Sequence, residues 1–375
     1  MQNDSFLYKF YYQWWKNIDK SIFLLITLLF LIGLFFSLVS TSLIASDKLN
    51  TNSYFFFFKH LIYICIGIFI IFIFSSINTE QLFKYSIILF FISLISLFLV
   101  PIIGVEVKGS KRWIDLFFLP RFQPIEIVKP FLIIILTTIL CSNKISNLYS
   151  KYLLSIFIAT IVSLLLIMQP DIGQTLLVIF SWAVLIFASG INIFFLFGFS
   201  LFVLIFFISL ITYFPKFDYI RSRIFSFFDR DAGTHNFQSD KAIESITSGG
   251  FFGKGIGEGV LKNRVPEAHT DYIISVISEE FGVIAIILIL LMFLVLIYMV
   301  FKKINYEKSE KIKLVLIGCV SLILMQVTIH VGVNIRLFPT TGMTLPFLSY
   351  GGSSIISISI LSGIILNLTK RKINQ

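Results

Sequence analysis

Long apolar stretches alternate with short polar ones along most of the chain. A helix needs about 20 mostly apolar residues to cross the hydrocarbon layer of a membrane, and the stretches that reach this length predict ten spans. The spans begin near Ser21, Phe55, Tyr85, Pro124, Tyr152, Thr175, Ile193, Ile273, Leu314 and Ser353. The pattern therefore predicts an all-α polytopic membrane protein with a single domain over residues 1–375.

The polar stretches define the segments that connect the spans. Residues 1–20 mix aromatic and lysine side chains, which is typical of a segment at the membrane–water interface, and we expect no cleaved signal peptide. A short basic loop covers residues 302–313. Two longer connections cover residues 104–123 and 215–271, and the second lies between the seventh and eighth spans.

The basic residues of short loops usually stay on the cytoplasmic side of a membrane. The loop 302–313 and the tail 370–372 are basic, so we expect both termini in the cytoplasm and the segments 104–123 and 215–271 on the outer face. Both outer segments carry several cations, which suggests an anionic ligand. The alternative is that these cations are solvated and pair with acids of their own loops.

Composition agrees with the membrane assignment. Hydrophobic residues make up 57% of the chain and charged residues 13%, whereas a soluble protein is about 45–50% apolar and about 25% charged. These values exclude a soluble globular protein and a disordered chain. The net charge of +10 is then largely an orientation signal, and we expect no nucleic-acid partner. Cys65, Cys141 and Cys319 lie in apolar runs without metal-ligand spacing, so we interpret them as small hydrophobic residues.

The stretch 265–272 runs directly into the eighth predicted span and contains a His-Thr-Asp sequence. A carboxylate at a helix mouth has a plausible catalytic use, because apolar surroundings would raise the pKa of Asp271 towards that of a general base. Helix capping by Thr270 or Asp271 is the alternative.

Three further groups of polar residues lie in or beside predicted spans. Glu279 and Glu280 are interpreted either as partners of a loop cation or as substrate contacts. Asp171 follows a proline, so it marks either a structural break or a functional carboxylate. One face of the ninth span is polar, which favours hydrogen bonds between helices or the lining of a cavity. That face consists of Gln326, His330 and Asn334.

Several ordered motifs resemble the SEDS family (shape, elongation, division and sporulation) of polytopic peptidoglycan glycosyltransferases. They cover residues 111–115, 121–124 with Glu126 and Lys129, 169–173, 266–272 with Glu279 and Glu280, and 349–354. Residues 253–259 and 342–347 are most similar to the division-type branch, FtsW. The elongation-type branch, RodA, more often has Arg at the position of Ala268.

The resemblance implies an enzyme that polymerises lipid II on the outer face of the bacterial cytoplasmic membrane, at the division septum. It also implies a class B penicillin-binding protein transpeptidase and other divisome membrane proteins as partners. A lipid II flippase, a scaffold that only recruits the transpeptidase and a RodA-like polymerase are the alternatives.

The resemblance also implies roles for individual residues. Asp271 matches the essential carboxylate of the family and is the expected general base. Arg112 and Arg121 match two family cations and are expected to bind the pyrophosphate or sugar of the substrate. The motifs add further candidate substrate-binding residues, namely Lys111, Glu267, His269, Thr270, Lys129 and Tyr350. The resemblance also implies a divalent cation, Mg²⁺ or Mn²⁺, at a site that no ligand cluster in the sequence identifies.

Overall fold

The apolar stretches form helices, because a backbone in hydrocarbon must satisfy its own hydrogen bonds. The computed structural model describes residues 6–41, 54–107, 110–116, 119–194, 237–261 and 265–370, with isolated positions between 197 and 227. Its helices are α1 (Phe6–Asn17), α2 (Lys20–Thr41), α3 (Phe55–Ser76), α4 (Thr79–Ile103), α5 (Pro124–Leu140), α6 (Leu148–Met168), α7 (Ile172–Ala188), α8 (Phe237–Gly249), α9 (Ile273–Tyr306), α10 (Glu310–Asn334) and α11 (Gly352–Leu368).

Among the described residues, six helices are long and apolar enough to cross a membrane, namely α2, α3, α4, α6, α9 and α10. Two shorter apolar helices, α7 and α11, add to them. The prediction of a mostly helical polytopic membrane protein is therefore confirmed. Helices cover the predicted span starts except the one at Ile193, whose span lies mostly outside the described residues. The count of ten spans and the cytoplasmic termini stay predictions.

Residues 105–122 form a small antiparallel sheet, and the all-α prediction is wrong for this part of the chain. Strands β1 (Val105–Val107), β2 (Ser110–Leu116) and β3 (Leu119–Phe122) lie in the order β1-β2-β3. Ile114 is buried, while Lys111 and Asp115 on the same strand are exposed. The segment is too polar for a span, and pairing between strands satisfies its backbone groups without a helix.

The sheet lies at the end of the bundle where α5, α9 and α11 begin; we call this the strand end. Gln123 N donates to Ser353 Oγ (3.0 Å), which joins the start of α5 to the start of α11. Tyr350 N donates to His269 O (3.1 Å), which joins the approach to α11 to the approach to α9. Segments that are far apart in sequence therefore meet at this end.

Contacts between charged and polar residues define the opposite end. Lys303 of α9 pairs with Asp19 before α2 (2.6 Å). Lys370 donates to Ile77 O at the end of α3 (3.2 Å), and Asn367 donates to the same carbonyl oxygen (2.6 Å). The basic residues near 302–313 and the helix α1 thus share one end of the molecule, away from the sheet.

The glycine-rich stretch after α8 packs closely against a kink in α9. Gly282 in α9 has φ 77° and ψ 176°, a region essentially restricted to glycine. The kink exposes backbone groups, and Val283 N donates to Gly250 O (3.0 Å) while Lys254 N donates to Glu279 O (2.9 Å). A Cβ on Gly253 would lie 2.2 Å from Glu280 O. The described part of the predicted loop 215–271 is therefore an ordered cap over α9.

Candidate active site

A cavity of about 410 Å³ opens at the strand end of the bundle. Its wall combines β2 and the start of α5 with residues 267–272 before α9, residues 340–344 after α10 and the start of α11. Six of the residues selected from the sequence line it: Asp271, Arg112, Arg121, Glu267, Thr270 and Tyr350. The structure thus brings together motifs that are separated by more than 200 positions in the sequence.

Asp271 lies two residues before α9, and both its amide and its carbonyl group form hydrogen bonds. Its amide donates to Glu267 O (3.1 Å), and its own carbonyl accepts a hydrogen bond from Asn334 Nδ2 (3.1 Å). The N-cap of α9 is Tyr272, without a side-chain capping hydrogen bond. Neither Thr270 nor Asp271 therefore occupies the N-cap position of α9, and Asp271 is part of the cavity wall.

The guanidinium group of Arg112 is held in place by contacts within the protein. Its guanidinium donates to Gln169 O (3.2 Å) and to Pro170 O, and its Nε lies 3.8 Å from Asp171 Oδ2. The side chain is only 14% exposed. These contacts fix a cation in the cavity wall, and the planar guanidinium group is suited to bind an anion.

Arg121 is held more loosely than Arg112. Its Nε lies 2.7 Å from Asp115 Oδ2, and the two side chains are 58% and 38% exposed. A surface ion pair of this kind contributes about 0–1 kcal/mol, so an anionic ligand can replace Asp115 at little cost. Lys111, on the same strand as Asp115, is exposed and is not part of the cavity wall.

Behind the cavity wall lies a buried polar network that the sequence analysis did not recognise. Glu126, which lines the cavity, pairs with Lys129 (2.8 Å) and accepts a hydrogen bond from Gln174 Nε2 (2.8 Å). Both charged side chains are at most 4% exposed. Lys129, selected as a substrate-binding residue, is thus placed one layer behind the cavity. The (i, i+3) spacing of Glu126 and Lys129 on one helix could have indicated this ion pair from the sequence.

The contacts of Asp171 show a structural role at the break between α6 and α7. Its side chain accepts a hydrogen bond from Gln174 N (3.3 Å) and caps α7. The same carboxylate accepts from Gln123 Nε2 (3.0 Å) and faces Arg112. Asp171 therefore caps the helix that follows the break after α6. Its carboxylate also contacts two residues of the cavity wall, Gln123 and Arg112.

Tyr350 of the cavity wall packs against other rings, and His269, another residue selected from the sequence, lies beside it outside the wall. The His269 ring packs against Phe56 (5.0 Å between centroids) and Tyr350 (6.0 Å). Burial, with a smaller contribution from Tyr63, raises the pKa of Tyr350 to about 12. Tyr350 is therefore a neutral hydroxyl at physiological pH, available to a ligand as a donor or an acceptor.

Glu279 lies outside the cavity wall, where it contacts the segment that precedes α9. It is fully buried, accepts hydrogen bonds from Leu261 N (2.9 Å) and Ser245 Oγ (3.0 Å), and lies 3.5 Å from Lys254 Nζ. Of the two interpretations of Glu279, the structure favours pairing with a loop cation. Neither Glu279 nor Glu280 is part of the cavity wall.

The part of the chain that the structure describes contains no cluster of three or more His, Cys, Asp or Glu side chains able to hold a metal ion. Asp271 and Glu267 are both cavity residues. Mg²⁺ is commonly bound by one or two carboxylates together with substrate phosphates. A divalent cation at this site would therefore need oxygen atoms from a ligand.

Residues 19–374 match the family model for FtsW, RodA and SpoVE, described as cell cycle proteins. The chain belongs to this family. Two similar proteins each carry the name "Probable peptidoglycan glycosyltransferase FtsW". The one from Caulobacter vibrioides is 30% identical over 96% of this chain and 91% of its own length. The one from Wigglesworthia glossinidia brevipalpis is 34% identical over 91% and 90%.

Solved structures agree with the family assignment. A chain from a study titled "Structural coordination of polymerization and crosslinking by a peptidoglycan synthase complex" has a TM-score of 0.76 at 25% identity, and covers 94% of this chain and 97% of its own. The rod shape determining protein RodA of Thermus thermophilus has a TM-score of 0.69 at 25% identity, with coverages of 94% and 96%. The overall fold of this chain is therefore shared with these solved structures.

Proposed function

We propose that this protein is a peptidoglycan glycosyltransferase of the division type, which polymerises lipid II into glycan strands during septal cell-wall synthesis. The observation that carries the proposal is the cavity at the strand end, where the candidate general base Asp271 and the two arginines Arg112 and Arg121 line a common space. The names of the FtsW relatives and of the structural neighbour support the reaction class.

The reaction joins two lipid-linked disaccharides. The 4-hydroxyl oxygen of one sugar attacks the anomeric carbon of the other, a new glycosidic bond forms, and the bond to undecaprenyl pyrophosphate breaks. Asp271 accepts the hydroxyl proton as general base. The departing pyrophosphate carries the negative charge, and Arg112 and Arg121 stabilise it in the transition state, where such interactions accelerate the reaction.

Their different anchoring suggests different tasks for the two arginines. Arg112, held by main-chain carbonyls and Asp171, provides a preorganised positive charge. Arg121, in an exposed pair with Asp115, is able to exchange that partner for the pyrophosphate as substrate enters. A divalent cation, if required, would be shared between Asp271, Glu267 and the diphosphate.

The wider assignment follows from the same proposal. The strand end faces the outer side of the bacterial cytoplasmic membrane, and both termini are cytoplasmic. A class B penicillin-binding protein crosslinks the strands that this chain makes, and the protein works with other divisome membrane proteins at the septum. The peptidoglycan synthase complex that contains the structural neighbour supports such a partner.

Polymerisation of labelled lipid II by the purified protein, with its partner transpeptidase and with or without Mg²⁺ or Mn²⁺, tests the proposal. We expect Asp271→Asn to lower kcat about 10²–10⁴-fold, the usual contribution of a general base. Glu258→Gln, which changes an exposed carboxylate of the same region, is the matched control and is expected to retain activity. Full polymerisation by Asp271→Asn would contradict the role of Asp271.

The same preparation distinguishes a polymerase from a flippase. In vesicles with lipid II in one leaflet, a flippase moves the lipid without forming strands, whereas the proposed enzyme forms strands from lipid II in the outer-facing leaflet. Transfer of lipid II without any polymer, with the transpeptidase present, would overturn the proposal.

A further inference from the structure

Three successive carbonyl groups next to the cavity each accept a hydrogen bond from the segment that ends α10 and precedes α11. The carbonyls belong to residues 269–271, the part of the chain that ends at the cavity carboxylate. The contacts are Tyr350 N to His269 O (3.1 Å), Ser349 Oγ to Thr270 O (2.6 Å) and Asn334 Nδ2 to Asp271 O (3.1 Å). We call these three contacts the carbonyl cradle.

Two donors of the cradle are side chains, and both are fixed by further contacts. Asn334 is fully buried and its amide also donates to His330 O (2.8 Å). Ser349 is 2% exposed, and its Oγ accepts a hydrogen bond from Leu345 N (2.9 Å) while donating to Thr270 O. Neither residue is part of the cavity wall, so their effect on a ligand is exerted through the main chain they hold.

The polar face of α10 also contacts residues 342–344, which belong to the part of the cavity wall next to Asp271. Gln326 Nε2 donates to Thr344 O (3.1 Å), and His330 Nδ1 lies 2.7 Å from Met343 O. A carbonyl oxygen only accepts, so the Nδ1 of His330 carries the hydrogen in this contact. The same helix face therefore contacts both residues 269–271 and residues 342–344. The two segments lie close together, since a Cβ on Gly342 would lie 3.4 Å from Asp271 Oδ2.

We propose that Asn334 and Ser349 are positioning residues for glycosyl transfer. They hold the main chain of residues 269–271 and thereby aim the Asp271 carboxylate into the cavity. This inference rests on the proposed function of Asp271. Its physical basis is preorganisation, since a misplacement of a reacting group by about 1 Å costs on the order of 100-fold in rate.

The experiment measures kcat and KM for lipid II polymerisation with Asn334→Leu and Ser349→Ala, in the complex with the partner transpeptidase. We expect kcat to fall on the order of 10- to 100-fold and KM to stay near the wild-type value, because neither residue contacts the substrate. Ser321→Ala is the matched control. It removes a buried hydroxyl of α10 that donates within its own helix, to Gly318 O (2.9 Å), and it is expected to retain kcat.

Thermal melting of each purified variant separates positioning from folding. Rates are compared below the melting transition, where every variant is folded; Ser349→Ala removes only a hydroxyl and is the milder of the two changes. Wild-type kcat in Ser349→Ala and Asn334→Leu would overturn the inference, and so would a raised KM at unchanged kcat or an equal loss of kcat in Ser321→Ala.

The Asp271→Asn variant tells the two proposals apart. If Asp271→Asn is active, the proposed general base is wrong and the positioning role fails with it. If Asp271→Asn is inactive while both positioning variants keep the wild-type kcat, only the positioning role fails.

Discussion

At the scale of single residues, Gly342 shows how closely the backbone approaches the candidate general base. It has φ +66°, and an added Cβ would lie 3.4 Å from Asp271 Oδ2. We expect Gly342→Ala to lower the polymerisation rate on the order of tenfold, because the methyl group would occupy cavity space in van der Waals contact with the carboxylate, and because a left-handed backbone costs a non-glycine residue about 1–2 kcal/mol. The measurement is kcat for lipid II polymerisation.

Gly190→Ala is the matched control for this prediction. Gly190 also has a positive φ, +92°, but nothing lies within 4 Å of its added Cβ. Both variants carry backbone strain, whereas only Gly342→Ala adds a methyl group beside Asp271. Equal rates in the two variants would contradict a steric effect on the carboxylate.

The residues of the site were predictable only where a motif contained them. Asp271 and Arg112 belong to recognisable blocks, and both line the cavity. The anchoring of Arg112 by Gln169 O joins positions 57 residues apart, and the contact between Asn334 and Asp271 O joins positions 63 apart. Neither contact follows from periodicity or local spacing, because both depend on how the helices pack. Sequence reasoning therefore found candidate groups and missed what orients them.

At the scale of elements, membrane helices were predictable because about 20 consecutive apolar residues are a strong signal. The sheet was not, since β1 has three residues and β3 has four, too few for an alternating pattern to be distinctive. The glycine-rich cap was also missed. Its close packing requires the kink at Gly282 in α9, and the hydropathy of that helix does not indicate a kink.

The contact between α9 and the start of α2 leads to a prediction about pH. Asp19 accepts hydrogen bonds from Ser21 N (3.1 Å) and Ile22 N (3.2 Å) and pairs with Lys303 (2.6 Å). Burial alone would raise the pKa of Asp19, but the hydrogen bonds and the charge of Lys303 outweigh it and hold the pKa below its usual value of 3.8. The stability that Asp19 contributes is therefore present above that value and is lost as pH falls through the lowered pKa.

We expect Asp19→Asn to lower the melting temperature at pH 7, with a difference from wild type that shrinks as the pH falls below the usual pKa of an aspartate. Melting curves across this pH range measure it. Glu310→Gln is the control, because Glu310 is 76% exposed in its pair with Lys313 and such pairs contribute little. A difference that stays constant with pH would show that the Asp19 charge is not the cause.

At the scale of the whole molecule, the short basic segments that indicate orientation and the candidate active site lie at opposite ends of the bundle. The basic loop near Lys303 and the end of α11 share one end, whereas the cavity with Asp271 and Arg112 is at the strand end. The positive-inside rule predicts that the first end is cytoplasmic. With that orientation, the cavity would lie where a lipid-linked substrate in the outer leaflet reaches it.

Cysteine labelling tests this orientation on the two sides of α9. Phe252, in the cap at the strand end, is 82% exposed, and Tyr306, at the far end of α9, is 79% exposed. In a background without the three native cysteines, we expect a membrane-impermeant maleimide to label Phe252→Cys in spheroplasts and Tyr306→Cys only after permeabilisation. Equal labelling of both variants in lysed cells is the control. The reverse pattern would place the cavity in the cytoplasm, where an outer-leaflet polymerase cannot work, and would overturn both the topology and the proposed site of reaction.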